Sequence, residues 1–270
     1  MLIKLSDLAK RLRLAIFLTT LSVQNLAHGA PAINSWEAIR AAYYPSQAID
    51  FTENEIIIDA PEQAEDSALV PVTITTKLLD DDIKRIDIFT DANPILLTAS
   101  FIPEIRSHFF QVSTRVRLDN SSYLRVIVED RHGKKRMRAI PIKTPGGGCG
   151  GGIDPDEAKL RAESGKMKIR LFPKENSLSF HVKHPMRTGF ERTSMGYYAR
   201  AWYIQNIVWQ FNGVPWLKAE LGPGISADPY FKLNLGEVQM SVNTNSLQIE
   251  ARDNEGKVFS QTFEQTLDTN

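Results

Sequence analysis

The sequence predicts an all-β protein: two immunoglobulin-like antiparallel β-sandwich domains joined by a Gly-rich arm and a short helical linker. Three observations predict this. Short runs that alternate apolar and polar residues recur through two long blocks, and Pro, Gly, Asn and Asp punctuate them, as half-buried strands and their turns require. Helical patterning is confined to two short stretches, at 36–44 and 154–165. Between the blocks lies Thr144-Pro145-Gly146-Gly147-Gly148-Cys149-Gly150-Gly151-Gly152, which holds the only cysteine and six of the sixteen glycines. A run so rich in glycine samples backbone space widely and resists packing. With 270 residues, 42% of them apolar, the chain is long enough for two ordinary domains with cores of their own.

The N-terminus reads as a secretory signal over 1–32. Lys4, Lys10, Arg11 and Arg13 supply a basic region, residues 14–21 an apolar one, and small residues follow at Ala27-His28-Gly29 and Ala30-Pro31-Ala32. Cleavage after Ala32 is favoured, because cleavage after Ala30 would leave Pro31 at the new terminus. The apolar run is short for a bilayer span of about 20 residues. The expected location is the periplasm, with no membrane segment once the signal is removed.

The first domain is expected over 33–143. Asn34-Ser35 can cap a helix at 36–44 that packs Trp36, Ile39 and Tyr43 on one face and stops at Pro45. Strands follow at 55–59, 70–76, 83–90, 96–102, 109–117, 123–129 and 136–143. Pro71 suits an edge or a strand start, since it cannot donate to a ladder. In the third run Ile86 and Ile88 oppose Arg85, Asp87 and Phe89, and Asp130-Arg131-His132-Gly133 turns the last hairpin. About seven strands at this spacing indicate the immunoglobulin-like sandwich.

The arm and linker occupy 144–165. Asp154 as N-cap, Pro155 in the first turn and Glu157 three residues on make a capping box, and Ser164-Gly165 closes the helix. The second domain is expected over 166–270, with strands at 167–172, 178–183, 203–211, 214–221, 230–235, 237–242, 247–252 and 258–263. Asn212-Gly213 is a two-residue hairpin turn, and Asp253-Asn254-Glu255-Gly256 is a longer one.

Composition excludes some functions. Lys plus Arg equals Asp plus Glu at 32 each, so nothing favours phosphate neutralisation on a nucleic acid. No Ser/His/Asp grouping, phosphate loop or metal-binding helix is visible, and the reading is of a non-enzyme with no cofactor and no metal. His181, His184 and Met186 with Cys149 make a superficial copper ligand set. A blue-copper site holds its thiolate rigidly, however, and six glycines do the opposite. Lys134-Lys135-Arg136 with Arg138 reads first as a solvated face and second as a docking patch for an acidic partner.

Cys149 is thus read as the one chemical group, a covalent attachment point flanked by Gly146, Gly147, Gly148, Gly150, Gly151 and Gly152 as a flexible arm. A thiol near its unperturbed pKa of about 8.5 is only a few per cent thiolate at pH 7, which suits a passive carrier charged by other enzymes. A thiol so placed can also join two chains in a disulfide-linked dimer.

The sequence resembles the SoxYZ sulfur carriers of thiosulfate oxidation, with both subunits in one chain. The first domain is similar to SoxY through Val70-Pro71-Val72-Thr73-Ile74, Ile86-Asp87-Ile88-Phe89, Asn93-Pro94, Ser113-Thr114-Arg115-Val116-Arg117-Leu118 and Gly147-Gly148-Cys149-Gly150-Gly151. The second is similar to SoxZ through His184-Pro185-Met186-Arg187-Thr188-Gly189 and the stretch from Ala219 to Tyr230. The match is nearest to fused carriers associated with quinoprotein dehydrogenases.

The resemblance implies two packed sandwiches and sulfur intermediates held on Cys149 as thiosulfonate or persulfide. It implies as partners a haem c protein, a manganese hydrolase and a sulfur dehydrogenase, or else a quinoprotein dehydrogenase. The alternative is a docking or accessory module for that dehydrogenase, with a redox-sensing or tethering thiol. One departure matters: in the separate carrier the arm is a free C-terminal tail, whereas here it continues into Ile153 and a second domain. A loop anchored at both ends enters a partner doubled, and about five residues per limb reach at most about 17 Å. Partners are therefore expected to have wide or shallow entrances, unless proteolysis after Gly152 frees a tail.

Overall fold

A computed structural model describes residues 32–79, 81–153, 156–234 and 246–264. The signal reading and the strand expected at 237–242 lie outside the described residues, as do Asp154 and Pro155.

The fold is an all-β sandwich built from immunoglobulin-like domains. Helix α1 (Trp36–Tyr43) comes first. The first block then gives β1 (Ile49–Phe51), β2 (Ile56–Asp59), β3 (Val70–Lys77), β4 (Ile83–Thr90), β5 (Leu97–Pro103), β6 (Phe109–Val116), β7 (Ser122–Asp130) and β8 (Lys135–Ile142). Helix α2 (Glu157–Glu163) follows. The second block gives β9 (Met167–Phe172), β10 (Ser177–Val182), β11 (Ile204–Phe211), β12 (Val214–Leu221), β13 (Tyr230–Asn234), β14 (Ser246–Asp253) and β15 (Val258–Glu264).

The sheets do not stop at the boundary between the blocks. One runs β1-β8-β7-β4-β5-β12-β11-β14-β15 and the other β2-β3-β6-β13-β10-β9. In the larger sheet β5 pairs antiparallel with β12, from Leu217 opposite Pro103 to Leu221 opposite Ala99. In the smaller, β6 pairs with β13, Lys232 opposite Ser113 and Leu233 opposite Val112. Among the described strands, only the short β1, which runs beside β8, is parallel to its neighbour.

Alternation sets which face of each strand is inside. Val70, Val72 and Ile74 of β3 and Phe110, Val112 and Val116 of β6 enter the core. So do Trp209 of β11 and Phe180 of β10. The main core cluster spans both blocks. A chain of aromatic contacts crosses it: Phe110 to Phe101 (5.4 Å between ring centres), Phe101 to Phe231 (5.9 Å), Phe231 to Trp209 (6.0 Å) and Trp209 to Phe180 (5.7 Å). Aromatic pairs at such separations each contribute about 0.5–1.5 kcal/mol beyond their buried area.

The outer face of β4 is also buried, which alternation alone does not predict. Helix α1 covers it, and Ile39 and Tyr44 pack with Phe89, Ile127 and Met137 in a second small cluster. Tyr44 donates to Asp87 at 2.5 Å. Tyr43, expected on the packed face, is 40% exposed, and Tyr44 takes that place. Helix α2 is capped by Asp156, which accepts from the Lys159 amide at 2.9 Å.

Of the basic cluster, Lys134 is exposed, as a solvated face would have it, and the other three are engaged by the body of the protein. Arg136 and Lys135 are buried and paired, Arg136 with Asp130 (2.8 Å) and Glu55 (2.9 Å) and Lys135 with Glu129 (3.1 Å). Arg138 donates to the carbonyls of Glu53 and Ile56.

Candidate carrier site

The arm leaves β8 and is taken up at once by the first block. The Lys143 amide donates to the Glu62 carbonyl, and the Ala64 amide to the Lys143 carbonyl. The Thr144 hydroxyl meets that of Ser67 at 2.6 Å, and the Gly146 amide donates to the same Ser67 oxygen at 3.0 Å. The Gly147 amide then donates to the Asp119 carbonyl at 2.7 Å and the Gly148 amide to the Leu118 carbonyl at 3.1 Å. Gly148 lies so close to this support that a Cβ would stand 2.2 Å from the Ser67 carbonyl oxygen and 2.6 Å from that of Leu118. That contact leaves room for glycine alone.

The chain turns at Cys149, where the Gly150 amide donates to the Gly147 carbonyl at 3.2 Å. The return limb meets the second block. The Arg192 amide donates to the Gly151 carbonyl at 2.8 Å, and the Ile153 amide to the Arg192 carbonyl at 3.2 Å. Along this limb a Cβ on Gly150 would meet nothing nearer than 3.9 Å, and one on Gly152 nothing within 4 Å.

The loop from His184 to Glu191 forms the other wall. Its shape is set internally: His184 Nδ1 accepts from the Met186 amide at 3.2 Å, and the Glu191 carboxylate accepts from the amides of Thr188 (2.9 Å) and Gly189 (3.0 Å). The Thr188 hydroxyl then donates to the Cys149 carbonyl at 2.6 Å. From the first block, Arg117 ties both walls together, donating to the carbonyls of Gly148 (3.4 Å) and Pro185 (3.2 Å).

Cys149 therefore sits between the two blocks, only 3% exposed. Its immediate surroundings include Asn93, Pro94, Ile95, Phe190 and Pro223, with a dent of about 10 Å³. That is about the room of one water and no more. Burial pushes the thiol from an ordinary 9.0 up to about 12; Asp119 and Glu191 act in the same direction, while Arg117 opposes them. The unperturbed thiol expected from sequence is thus replaced, in this position, by one held neutral.

The six glycines read as a flexible arm lie seated against the two blocks in this structure. The copper set is not assembled as such: Met186 Sδ accepts from the Ile204 amide at 3.3 Å, and His184 Nδ1 is taken by the Met186 amide. Three site residues went unnoticed as such in the sequence, namely Arg117, Thr188 and Glu191. Arg117 and Thr188 stood inside family-like stretches, and Glu191 had no motif around it.

Comparison with known proteins found two family models in order along the chain. Sulfur oxidation protein SoxY matches residues 40–149, and sulphur oxidation protein SoxZ matches residues 174–264. The chain is similar to the solved sulfur carrier protein SoxY from Chlorobium limicola f thiosulfatophilum, with 35% identity over 40% of this chain and 88% of that one and a TM-score of 0.33. It is also similar to a putative superoxide reductase from Thermotoga maritima, at 14% identity over 36% of this chain and 93% of that one, with a TM-score of 0.31. No curated protein matched.

An all-β sandwich with one glycine-framed thiol seated between two sulfur-oxidation domains defines a sulfur-oxidation carrier. The chain belongs to the SoxYZ family, with the SoxY and SoxZ domains fused in a single polypeptide.

Proposed function

We propose that the protein is a periplasmic carrier that holds sulfur intermediates covalently on Cys149 and presents them to enzymes of thiosulfate or sulfur oxidation. The observation that carries this reading is the placement of the only thiol. It lies at the turn of a glycine loop, and both limbs of that loop are tied to the body mainly through main-chain hydrogen bonds. Such bonds are individually modest, about 0.5–1.5 kcal/mol net, and water replaces them when the loop lifts. At rest the thiol is neutral and shielded. Lifted, it returns to an ordinary thiol pKa and becomes a nucleophile for loading. Partner enzymes (a haem c protein, a manganese hydrolase and a sulfur dehydrogenase) then supply the chemistry, and the chain supplies attachment and delivery.

The test is the intact mass of protein purified from periplasm without reductant, then after reduction. Adducts of sulfur that map to Cys149 and vanish with reductant are expected. A bare thiol under every sulfur-oxidising growth condition would sink the carrier reading.

A second reading rests on the closure of the arm at both ends, which limits its reach. On that reading the chain docks a quinoprotein dehydrogenase, and the thiol serves for tethering or redox sensing. Cys149→Ser separates the two, since it abolishes carriage and leaves docking intact.

A further inference from the structure

Next to the seated arm is a second, larger cavity of about 270 Å³. Arg117, Lys183, His184 and Arg187 line it, together with Gly150 and Gly152 of the arm. Three of these residues bury a nitrogen with no hydrogen-bond partner: Arg117 Nε, His184 Nε2 and Arg187 Nη2. All three side chains belong to residues at least nine-tenths buried. Leaving a buried donor unpaired costs about 1–3 kcal/mol, so three around one cavity call for an explanation.

Two carboxylates, Glu191 and Asp228, also line the cavity, and both are already engaged. Glu191 accepts from the amides of Thr188 and Gly189, and Asp228 accepts from Lys183 Nζ (2.6 Å) and the His184 amide (3.0 Å). The Met186 amide donates to His184 Nδ1, so the ring proton of the neutral imidazole stands on Nε2, a donor. Burial holds this histidine neutral, lowering its pKa to about 4. Both guanidinium groups also have an ion-pair partner, Arg117 in Glu191 (3.7 Å) and Arg187 in Glu157 (2.7 Å), so charge there is balanced and the surplus is of N–H donors, two of them on guanidinium groups, which suit planar and tetrahedral oxyanions.

We propose that this cavity is a binding site for a sulfur oxyanion: the sulfonate end of a group carried on Cys149, or free sulfate or thiosulfate. The dent around the seated thiol has room for about one water, so it cannot take a sulfonate as well. Gly150, next in sequence to Cys149, already lines the larger cavity. Rotation within the Gly148–Gly150 turn carries the side chain from one to the other. The cargo half of this proposal rests on the carrier reading, and the free-anion half does not.

The experiment uses the full mature chain as Cys149→Ser, titrated with sodium sulfate and with sodium thiosulfate against sodium chloride at matched ionic strength. Calorimetry reads affinity, and amide shifts of Gly150 and Gly152 locate the site. Saturable binding of sulfate or thiosulfate that moves those two amides is expected. Arg187→Gln should weaken it about tenfold, as loss of one charge-assisted contact implies. Lys183→Gln, at a more exposed position, gives a second and smaller loss if Arg187→Gln fails to fold. Binding no stronger than chloride, or binding that neither substitution weakens, overturns the site.

The two sources separate with tetrathionate. The Cys149 thiolate attacks a central sulfur, forms a new S–S bond and expels thiosulfate with the electron pair of the bond broken, leaving a thiosulfonate on the arm. Loss of free sulfate binding in this loaded protein assigns the cavity to cargo. Undiminished binding overturns the cargo half. The carrier reading fails on a different result, an unmodified Cys149 in cells.

Discussion

The two limbs of the arm carry the same three glycines and are held quite differently. The leading limb, Gly146 to Gly148, lies on the backbone of Leu118 and Asp119 and against Ser67, with no space for a side chain at Gly148. The return limb, Gly150 to Gly152, is held by an exchange of amides with Arg192, and side chains at Gly150 and Gly152 would point into open space. Identical sequence therefore serves two purposes. On one side glycine permits close approach; on the other it permits motion. The arm should open from the return side, with the leading limb as its root.

Thiol ionisation gives the largest expected effect. The seated thiol has its pKa raised, so the seated state holds its proton more tightly than the lifted one. Seating is fully stable below about 9 and is lost as pH rises from there toward about 12. Thiolate absorbance at 240 nm should place the wild-type midpoint at least about one unit above an ordinary thiol. Gly148→Ala should titrate as an ordinary thiol, because its Cβ would overlap two carbonyl oxygens. Equal midpoints would break the comparison of the limbs.

Alkylation by iodoacetamide at pH 8 reads the same contrast kinetically. Gly148→Ala should label at least about tenfold faster than wild type, in keeping with about 1–3 kcal/mol for overpacking. Thr188→Val removes the hydroxyl that donates to the Cys149 carbonyl. One lost hydrogen bond of about 1 kcal/mol corresponds to labelling about fivefold faster. Smallest of all, Gly150→Ala and Gly152→Ala should label within about twofold of wild type, because neither Cβ would meet an atom nearer than 3.9 Å. A tenfold effect at Gly152 would show that the return limb is also a root.

Much of the fold could be read in advance, since alternation along β3 and β6 marks inward residues without any knowledge of partners. The pairing of β5 with β12 and β6 with β13 could not, because no local pattern tells a strand that its neighbour lies in another block. The burial of both faces of β4 escaped for a similar reason: Asp87 and Phe89 look like an outer face until α1 covers them. At the site, Cys149 was conspicuous by composition. Its burial was not, because a glycine run reads as unpacked, and the carbonyls of Ser67 and Leu118 that receive Gly148 have no sequence signature. Glu191 is equally silent, an ordinary acidic residue until the Thr188 and Gly189 amides turn to it.

The sheets shared between the blocks set an order of events in the life of the chain. As it emerges, β5 and β6 are complete long before β12 and β13 exist, and each must wait with one row of amides and carbonyls unpaired. Unpaired strand rows are templates for the wrong neighbour, and distant pairing is slow to form. The nascent first half is thus the aggregation-prone stage of synthesis. Until the last third of the chain arrives it needs a chaperone or a dilute surrounding, and cutting that half out as a fragment would make the hazard permanent.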